Sequence, residues 1–170
     1  FAPLASFAMF HLVTIFPLSW VTLFGGQTAG EFLWVQVAGA AVGFIAIVLS
    51  GLLADKIGRR RQLMIGAVII AIFSFTAPFL LDAGRTGQNA FILIGFGILG
   101  LSFGQASGVV SSRFGQYYRY TGAALTSDLA WLVGAAFAPL VALGLASSFG
   151  IIFIGGYLIS GAIVSLIALS

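Results

Sequence analysis

The sequence predicts an all-α membrane protein that crosses the bilayer six times. Of its 170 residues, 61% are hydrophobic and only 6% are charged, whereas about a quarter of the residues in a soluble domain are charged. The mean hydropathy is +1.17. A soluble fold of this composition would have too few charged residues to cover its surface. The composition therefore predicts an integral membrane protein.

Six apolar segments are long enough to cross a bilayer, which takes about 20 residues of helix. Pro17 is expected to kink the first segment. Glu31 suits the first turn of the second, because the start of a helix favours negative charge. The expected spans are residues 3–24, 31–54, 62–81, 89–112, 123–145 and 149–169.

The basic residues lie almost entirely on one side of the predicted membrane. Arg85 alone lies on the other side. Cytoplasmic loops are the ones enriched in Lys and Arg, so the two basic turns, after the second and fourth spans, and both ends of the chain are expected in the cytoplasm. The cations mark the ends of apolar segments rather than one surface, so the net charge of +3 does not indicate nucleic acid. The basic residues of the two turns are Lys56, Arg59, Arg60, Arg61, Arg113 and Arg119.

One short stretch organises the chain: Gly51-Leu-Leu-Ala-Asp55-Lys-Ile-Gly58-Arg59-Arg60-Arg61, between the second and third spans. Read as G-x-x-x-D-x-x-G-R-R-R, it resembles the signature loop of the major facilitator superfamily of secondary transporters. The resemblance implies one six-helix half of a twelve-helix transporter, built as a three-plus-three inverted repeat. The chain opens and stops inside apolar runs. We therefore expect the C-terminal half of a longer polypeptide, whose partner is an absent N-terminal six-helix half.

In that superfamily the loop latches one conformation of the transport cycle, which implies gating roles here. Gly51 would let the end of one helix approach another closely, and Gly58 would permit a tight turn. Asp55 would cap a neighbouring helix or accept hydrogen bonds from Arg59 and Arg60. A generic cytoplasmic turn anchored by basic residues is the alternative interpretation.

A second motif, Arg119-Tyr-Thr-Gly-Ala-Ala124, leads into the fifth span. It is similar to the R-Y-T/S-G-x-S segment of the metabolite:proton symporters within the superfamily. The similarity implies proton-coupled symport of a small organic acid, with the proton gradient as energy source and no cofactor. A zwitterionic osmolyte such as proline or betaine is the alternative substrate. Arg119 is also expected to take part in gating. The family usually has an acid and a proline where Ser112 and Gly115 stand, so Arg119 lacks that acid as a partner.

Two ionisable residues inside predicted spans are candidates for contact with protons or substrate. Asp128 lies about 13 Å along a helix from Arg119, and acids at such depth usually face a cavity. The alternative for Asp128 is an ion pair with an arginine near the membrane surface. His11 is the only histidine, and it shares a helical face with Thr14 and Thr22. The alternative for His11 is a hydrogen bond to a neighbouring helix.

Gln36 and Gln105 are uncharged polar residues well inside the second and fourth spans, and both are candidates for substrate contact. The resemblance implies that the first, second, fourth and fifth helices of the half line the transport cavity. Hydrogen bonding between helices is the alternative role. Glycines spaced four apart in the second and fourth spans predict close helix packing. They are Gly39, Gly43, Gly100, Gly104 and Gly108.

An intramembrane serine protease is the rival function from another class, because Ser107-Gly108 lies in the fourth of six spans. Gln105 stands where that protease motif needs glycine, and the sixth span has no histidine to act as a base. The sequence contains no cysteine, which excludes disulfides and cysteine-ligated metals. We therefore expect a transporter of a small metabolite, with no catalytic residues and no metal site.

Overall fold

The computed structural model describes residues 1–24 and 27–170, and within them every regular element is helical. Five helical segments of the described chain are long and apolar enough to cross a membrane, and a sixth apolar helix is shorter. The predicted all-α membrane architecture is confirmed. The elements are α1 (Leu4–Thr14), α2 (Phe16–Phe24), α3 (Ala29–Ile57), α4 (Arg59–Asp82), α5 (Gly84–Ser111), α6 (Arg119–Trp131), a π-helix (Leu132–Ala136), α7 (Ala138–Phe149) and α8 (Ile152–Leu169).

The first predicted span consists of two helices separated by one residue. α1 ends at Thr14 and α2 begins at Phe16, with Ile15 between them. Pro17 accounts for the break, because its nitrogen has no hydrogen to donate to the carbonyl of Val13, four residues earlier. The predicted kink is therefore confirmed, and it leaves backbone acceptors that another group must satisfy.

The fifth predicted span, residues 123–145, is not one continuous α-helix. Its helical stretch begins at Arg119, ends at Phe149 and is interrupted by the π-helix. A π-helical turn holds an extra residue and so changes which face the following residues occupy. α6 has 13 residues and α7 has 12, so neither crosses a bilayer alone. The fifth crossing needs the whole Arg119–Phe149 stretch.

The loop predicted at residues 55–61 is far shorter in the structure. α3 runs to Ile57 and α4 begins at Arg59, so Gly58 alone separates the two helices. Gly58 has a φ of +89°, a backbone conformation that glycine adopts readily because it lacks a Cβ atom. Since the reversal takes a single residue, Asp55 and the arginines beyond Gly58 remain helical.

Two other turns also differ from the prediction. Only Ala83 separates α4 from α5, where a loop over residues 82–87 is predicted. α7 continues through residues 146–148, which the expected spans leave as a turn, and ends at Phe149, where Gly150 follows with a φ of +101°. Helices therefore extend to the first residue that can reverse the chain.

The start of α3 follows the sequence prediction. The Thr28 hydroxyl accepts a hydrogen bond from Glu31 N at 3.4 Å, as an N-cap residue does. Glu31 lies in the first turn, where its charge complements the helix dipole. Gly25 and Gly26 of the predicted loop that precedes the helix lie outside the described residues.

α3 and α5 pack closely through glycines, as predicted. A Cβ atom at Gly39 would lie 2.7 Å from the Phe96 ring, and a Cβ atom at Gly100 would collide with the Gly43 carbonyl oxygen. A larger residue at either position would force the helices apart or distort them. The two main chains can touch because no side chain lies between them.

The buried core lies among α1, α4, α5 and α8, and α4 packs along both α5 and α8. Phe16, which α2 adds to this core, and Phe91 of α5 are among its largest fully buried side chains. α3 instead carries a long exposed apolar face that includes Trp34, Phe44 and Leu52. In a membrane protein such a face meets lipid or another part of the protein.

Candidate functional site

Five aromatic side chains from three helices form one cluster. They come from α1, α5 and α6, and each ring contacts at least two of the others, with centroids 5.0 to 6.5 Å apart. Most pairs meet edge to face or tilted, the arrangements that aromatic rings favour. The members of this aromatic cluster are Phe7, Phe10, His11, Phe103 and Trp131.

Trp131 is the centre of the aromatic cluster, since it contacts the other four rings. It is the last residue of α6 and directly precedes the π-helix. π-Helical turns occur frequently at functional sites. Phe7 is buried, whereas the other four rings are half-buried. Part of the ring surface of the cluster is therefore accessible from outside the described helices.

His11 lies inside the aromatic cluster, with its ring centroid 5.3 Å from Phe10 and 5.4 Å from Trp131. Its Nδ1 atom is buried and has no hydrogen-bond partner among the described residues. The hydroxyl of Thr14, one turn further along α1, donates to the Phe10 carbonyl at 2.7 Å. Thr14 is thus satisfied by its own helix, while His11 retains an unused polar atom.

Gln36 and Gln105 both make hydrogen bonds between helices. Gln36 Nε2 donates to the Thr14 carbonyl at 2.7 Å and to the Val13 carbonyl at 3.4 Å. The Val13 carbonyl is the acceptor that a proline leaves without its helical donor. Gln105 Nε2 donates to Ser50 Oγ at 3.2 Å. Both amides display the structural role that the sequence analysis left open beside substrate contact.

Asp128 lies one helical turn before Trp131 on α6, and it is exposed. In the described part of the chain, the single ion pair joins Glu31 to Arg85 at 3.7 Å. The alternative pairing of Asp128 with an arginine near the surface is therefore not formed. A carboxylate exposed within a membrane-spanning stretch must face water or protein, because lipid cannot solvate it.

The arginines after Gly58 do not bond Asp55, which corrects that expectation. Arg59 extends across α5, where a Cβ atom at Gly108 would lie 2.9 Å from its Nη1 atom. Arg60 donates to the Leu169 carbonyl at the end of α8, at 2.7 Å through Nε. Positive charge at the last turn of a helix is favourable. The short turn directs both side chains to neighbouring helices and leaves Asp55 exposed in the last turn of α3.

Gly51 also departs from its expected role within this chain. A Cβ atom at Gly51 would meet no atom within 4 Å, so no described helix approaches it closely. Arg119 begins α6 and lines an open cavity of about 530 Å³ with Gln116, Tyr120 and Ser127. At Gly51 and Arg119 there is thus space for a contact with a part of the protein outside the described helices.

No group of three or more His, Asp or Glu side chains able to hold a metal ion occurs in the described residues. The aromatic cluster offers ring faces and one imidazole, which suit binding of a small molecule rather than covalent chemistry. Asp128, one turn away, is the nearest carboxylate along the chain.

Comparison with known proteins identifies the kind of protein to which this chain is related. Over 99% of its length the chain is 32% identical to the inner membrane metabolite transport protein YhjE of Escherichia coli (strain K12). The chain is thus similar, over nearly its whole length, to bacterial metabolite transport proteins. It is also 37% identical, over 81% of its length, to a Haemophilus influenzae protein named for metabolite transport. The shikimate transporter of Escherichia coli (strain K12) is 28% identical over 91% of the chain.

The chain spans about two fifths of the length of the relatives it matches, 40% for YhjE and 36% for the shikimate transporter. No family model and no solved structure matches it. The resemblance to metabolite transporters of the major facilitator superfamily is nevertheless confirmed, as is the fold class. Because the relatives are named as transport proteins, they support the prediction that this protein is not an enzyme.

Of the aromatic cluster, only His11 is a candidate in the sequence. The three phenylalanines do not stand out, because the chain contains 17 of them. The position of Trp131 in the sequence is itself informative. Tryptophan in membrane proteins concentrates at the interfaces, so a tryptophan in the middle of a span needs another reason to be there.

Proposed function

We propose that the chain is the C-terminal half of a twelve-helix transporter that carries a small organic acid into or out of the cell together with protons. The homology to metabolite transport proteins over nearly the whole chain supports this proposal. So does the fraction of those relatives that it spans, which leaves room for a second set of six helices. The two halves would rock about a binding site at the bilayer midplane.

The observation that carries the proposal is the exposed carboxylate of Asp128 within the stretch that forms the fifth crossing. A charge facing lipid is unfavourable by about 2.5 kcal/mol or more, so this face of α6 must border a water-filled path or the N-terminal half. Asp128 in such a path can take up a proton on one side of the membrane and release it on the other. The half-buried rings of the aromatic cluster line the same path one turn further on.

A zwitterionic osmolyte is the second candidate substrate. Aromatic faces bind quaternary ammonium groups through cation–π attraction, and Asp128 would add a favourable negative charge. An organic acid is supported instead by the similarity to the shikimate transporter. An organic acid would bring a negative charge to the aromatic cluster, whereas an osmolyte would bring its positively charged ammonium group.

We also propose that the basic turns face the cytoplasm. Gly58 with its arginines, and the Arg113–Arg119 segment, lie on one side of the helices, opposite Arg85. These 170 residues contain no cysteine, so single cysteines introduced here report orientation once any cysteines of the other half have been replaced. Tyr118→Cys should react with a membrane-impermeant maleimide only from the cytoplasmic side, and Thr86→Cys only from the opposite side.

The proposal is tested by uptake into proteoliposomes that contain the full-length transporter. An imposed proton gradient should drive accumulation of at least one member of a panel of organic acids and osmolytes. Asp128→Asn should abolish accumulation while sparing exchange of substrate across the membrane. Asp82→Asn, at the far end of α4, is the matched control and should accumulate normally. Normal accumulation by Asp128→Asn would contradict the proposed proton role.

A further inference from the structure

Five polar side chains are buried together beneath the α3–α4 turn. Each has a relative exposure of 6% or less, which is unusual for polar residues. They come from four helices, α1, α3, α4 and α5. This group, the buried polar junction, consists of Ser6, Ser50, Gln62, Ser102 and Gln105.

The Leu101 carbonyl of α5 is the shared acceptor of the buried polar junction. It accepts hydrogen bonds from Ser50 Oγ at 2.8 Å and from Gln62 Nε2 at 3.3 Å. Ser50 Oγ in turn accepts from Gln105 Nε2 at 3.2 Å. The helices on both sides of the Gly58 turn are thereby tied to one carbonyl of α5.

The neighbouring residue of α5 extends the junction to α1. Ser102 Oγ and Ser6 Oγ lie 2.5 Å apart. A Cβ atom at Gly66, one turn beyond Gln62 on α4, would lie 2.8 Å from Ser102 Oγ. The four helices meet closely at this level, so an unpaired polar group here has no direct access to bulk water.

Gln62 leaves one atom of the junction without a partner. Its side chain is almost fully buried, with a relative exposure of 2%, and its Oε1 atom has no hydrogen-bond partner in the described structure. A buried acceptor without a donor is destabilising, because it loses its hydrogen bonds to water on folding. Turning the amide over does not help, because Oε1 would then face the Leu101 carbonyl and Nε2 would be the unpaired atom.

We propose that one ordered water molecule occupies the buried polar junction and donates a hydrogen bond to Gln62 Oε1. Buried waters typically make about three hydrogen bonds to polar groups that the protein leaves unsatisfied. We expect the further partners of this water among the hydroxyls of the junction, of which Ser50 Oγ shares the Leu101 carbonyl with Gln62. This site is separate from the aromatic cluster and does not depend on the identity of the substrate.

A metal cation fits the junction less well than water does. The two glutamine amides direct N–H groups into it, and N–H donors repel a cation. None of the four carboxylates of the chain belongs to the junction, so a buried positive charge would have no counter-charge. Water can both donate to Gln62 Oε1 and accept from a hydroxyl.

The direct test is an experimental map of the full-length transporter in lipid nanodiscs, at a resolution that shows ordered water. The proposal expects density about 2.7–3.2 Å from Gln62 Oε1, with a second contact to a hydroxyl or amide of the junction. A well-resolved Gln62 side chain with no such density would overturn it.

Thermal unfolding of the full-length transporter gives an independent test. Gln62→Leu should lower the unfolding midpoint by at least about 2 °C, because it removes bonds to the Leu101 carbonyl and to the water. If the junction is dry, relief of the unsatisfied Gln62 Oε1 should offset the lost bond to the Leu101 carbonyl, so that the midpoint stays unchanged or rises, which would contradict the proposal. Ser147→Ala, on the exposed surface of α7, is the control.

The response to sodium distinguishes a water molecule from a cation in the buried polar junction. At constant ionic strength the wild-type midpoint should not respond to exchange of potassium for sodium. A sodium-dependent rise that Gln62→Leu abolishes would overturn the water and assign the junction to a cation.

Discussion

The side-chain amide of Gln36 on α3 donates a hydrogen bond to the Thr14 carbonyl at 2.7 Å, across the break in the first span. It also reaches the Val13 carbonyl, the acceptor that Pro17 leaves without a helical donor. In the interior of a membrane no water is present to donate hydrogen bonds to these carbonyls. The kink and the glutamine that satisfies it are thus a matched pair, contributed by two different helices.

Gln36→Leu should therefore destabilise the transporter by about 1 kcal/mol, the size of a hydrogen bond between membrane helices. The thermal midpoint of the purified full-length protein measures this loss. Thr76→Val is the control, because the Thr76 hydroxyl bonds only the Phe73 carbonyl of its own helix. The apparent KM for substrate should not change, and a rise in KM without loss of stability would show that Gln36 contacts substrate instead.

Gly100→Ala should destabilise the transporter far more than Gly97→Ala on the same helix. A methyl group at Gly100 would collide with the Gly43 carbonyl, whereas one at Gly97 would meet Val42 at an ordinary 3.6 Å. Overpacking of this kind costs about 1–3 kcal/mol. Thermal midpoints of the two variants make the comparison, and equal midpoints would contradict the close packing of α3 on α5.

These two cases show what local sequence patterns could predict. The spacing of the glycines and the position of Pro17 act through the backbone of a single helix, so the packing face and the kink were predictable. The bonding of Gln36 was not, because it depends on which carbonyl of a second helix lies opposite. The length of the Gly58 turn was missed for another reason: the charged residues around it suggested a loop, yet they remain helical at the membrane surface.

Gly108 should matter because Arg59 lies across it. Gly108→Leu should displace the guanidinium from the last turn of α5 and lower the thermal midpoint in the wild-type background. In an Arg59→Ala background the same change should have much less effect, which a double-mutant cycle measures as a coupling of about 0.5–3 kcal/mol. Gly104→Leu is the control, since its neighbours are Ser50 and Ile47. Additive effects of Gly108→Leu and Arg59→Ala would contradict the contact between Arg59 and Gly108.

Trp131 should contribute to substrate binding through the aromatic cluster. Trp131→Ala should raise the apparent KM about tenfold, the change that 1.4 kcal/mol produces, while Trp131→Phe should keep most of the affinity because it retains an aromatic face. Phe79→Ala, on the exposed face of α4, should leave KM unchanged. An unaltered KM in a folded Trp131→Ala transporter would limit the cluster to packing.

The candidate site was only partly predictable from the sequence. His11 and Asp128 stood out because polar and charged residues are rare inside membrane spans. One of the two roles expected of Asp55, the acceptance of hydrogen bonds from Arg59 and Arg60, is wrong, since a chain reversal of one residue sends both arginines toward α5 and α8. Trp131 was missed because its contacts join helices that are far apart in the sequence.

The central claim is that this chain works as one half of a larger transporter. The intact mass of the polypeptide purified from native membranes tests that claim most directly. The account predicts a single polypeptide of more than twice the 17.7 kDa of these 170 residues, in keeping with the two fifths of its relatives that the chain spans. A native polypeptide of 17.7 kDa would contradict it.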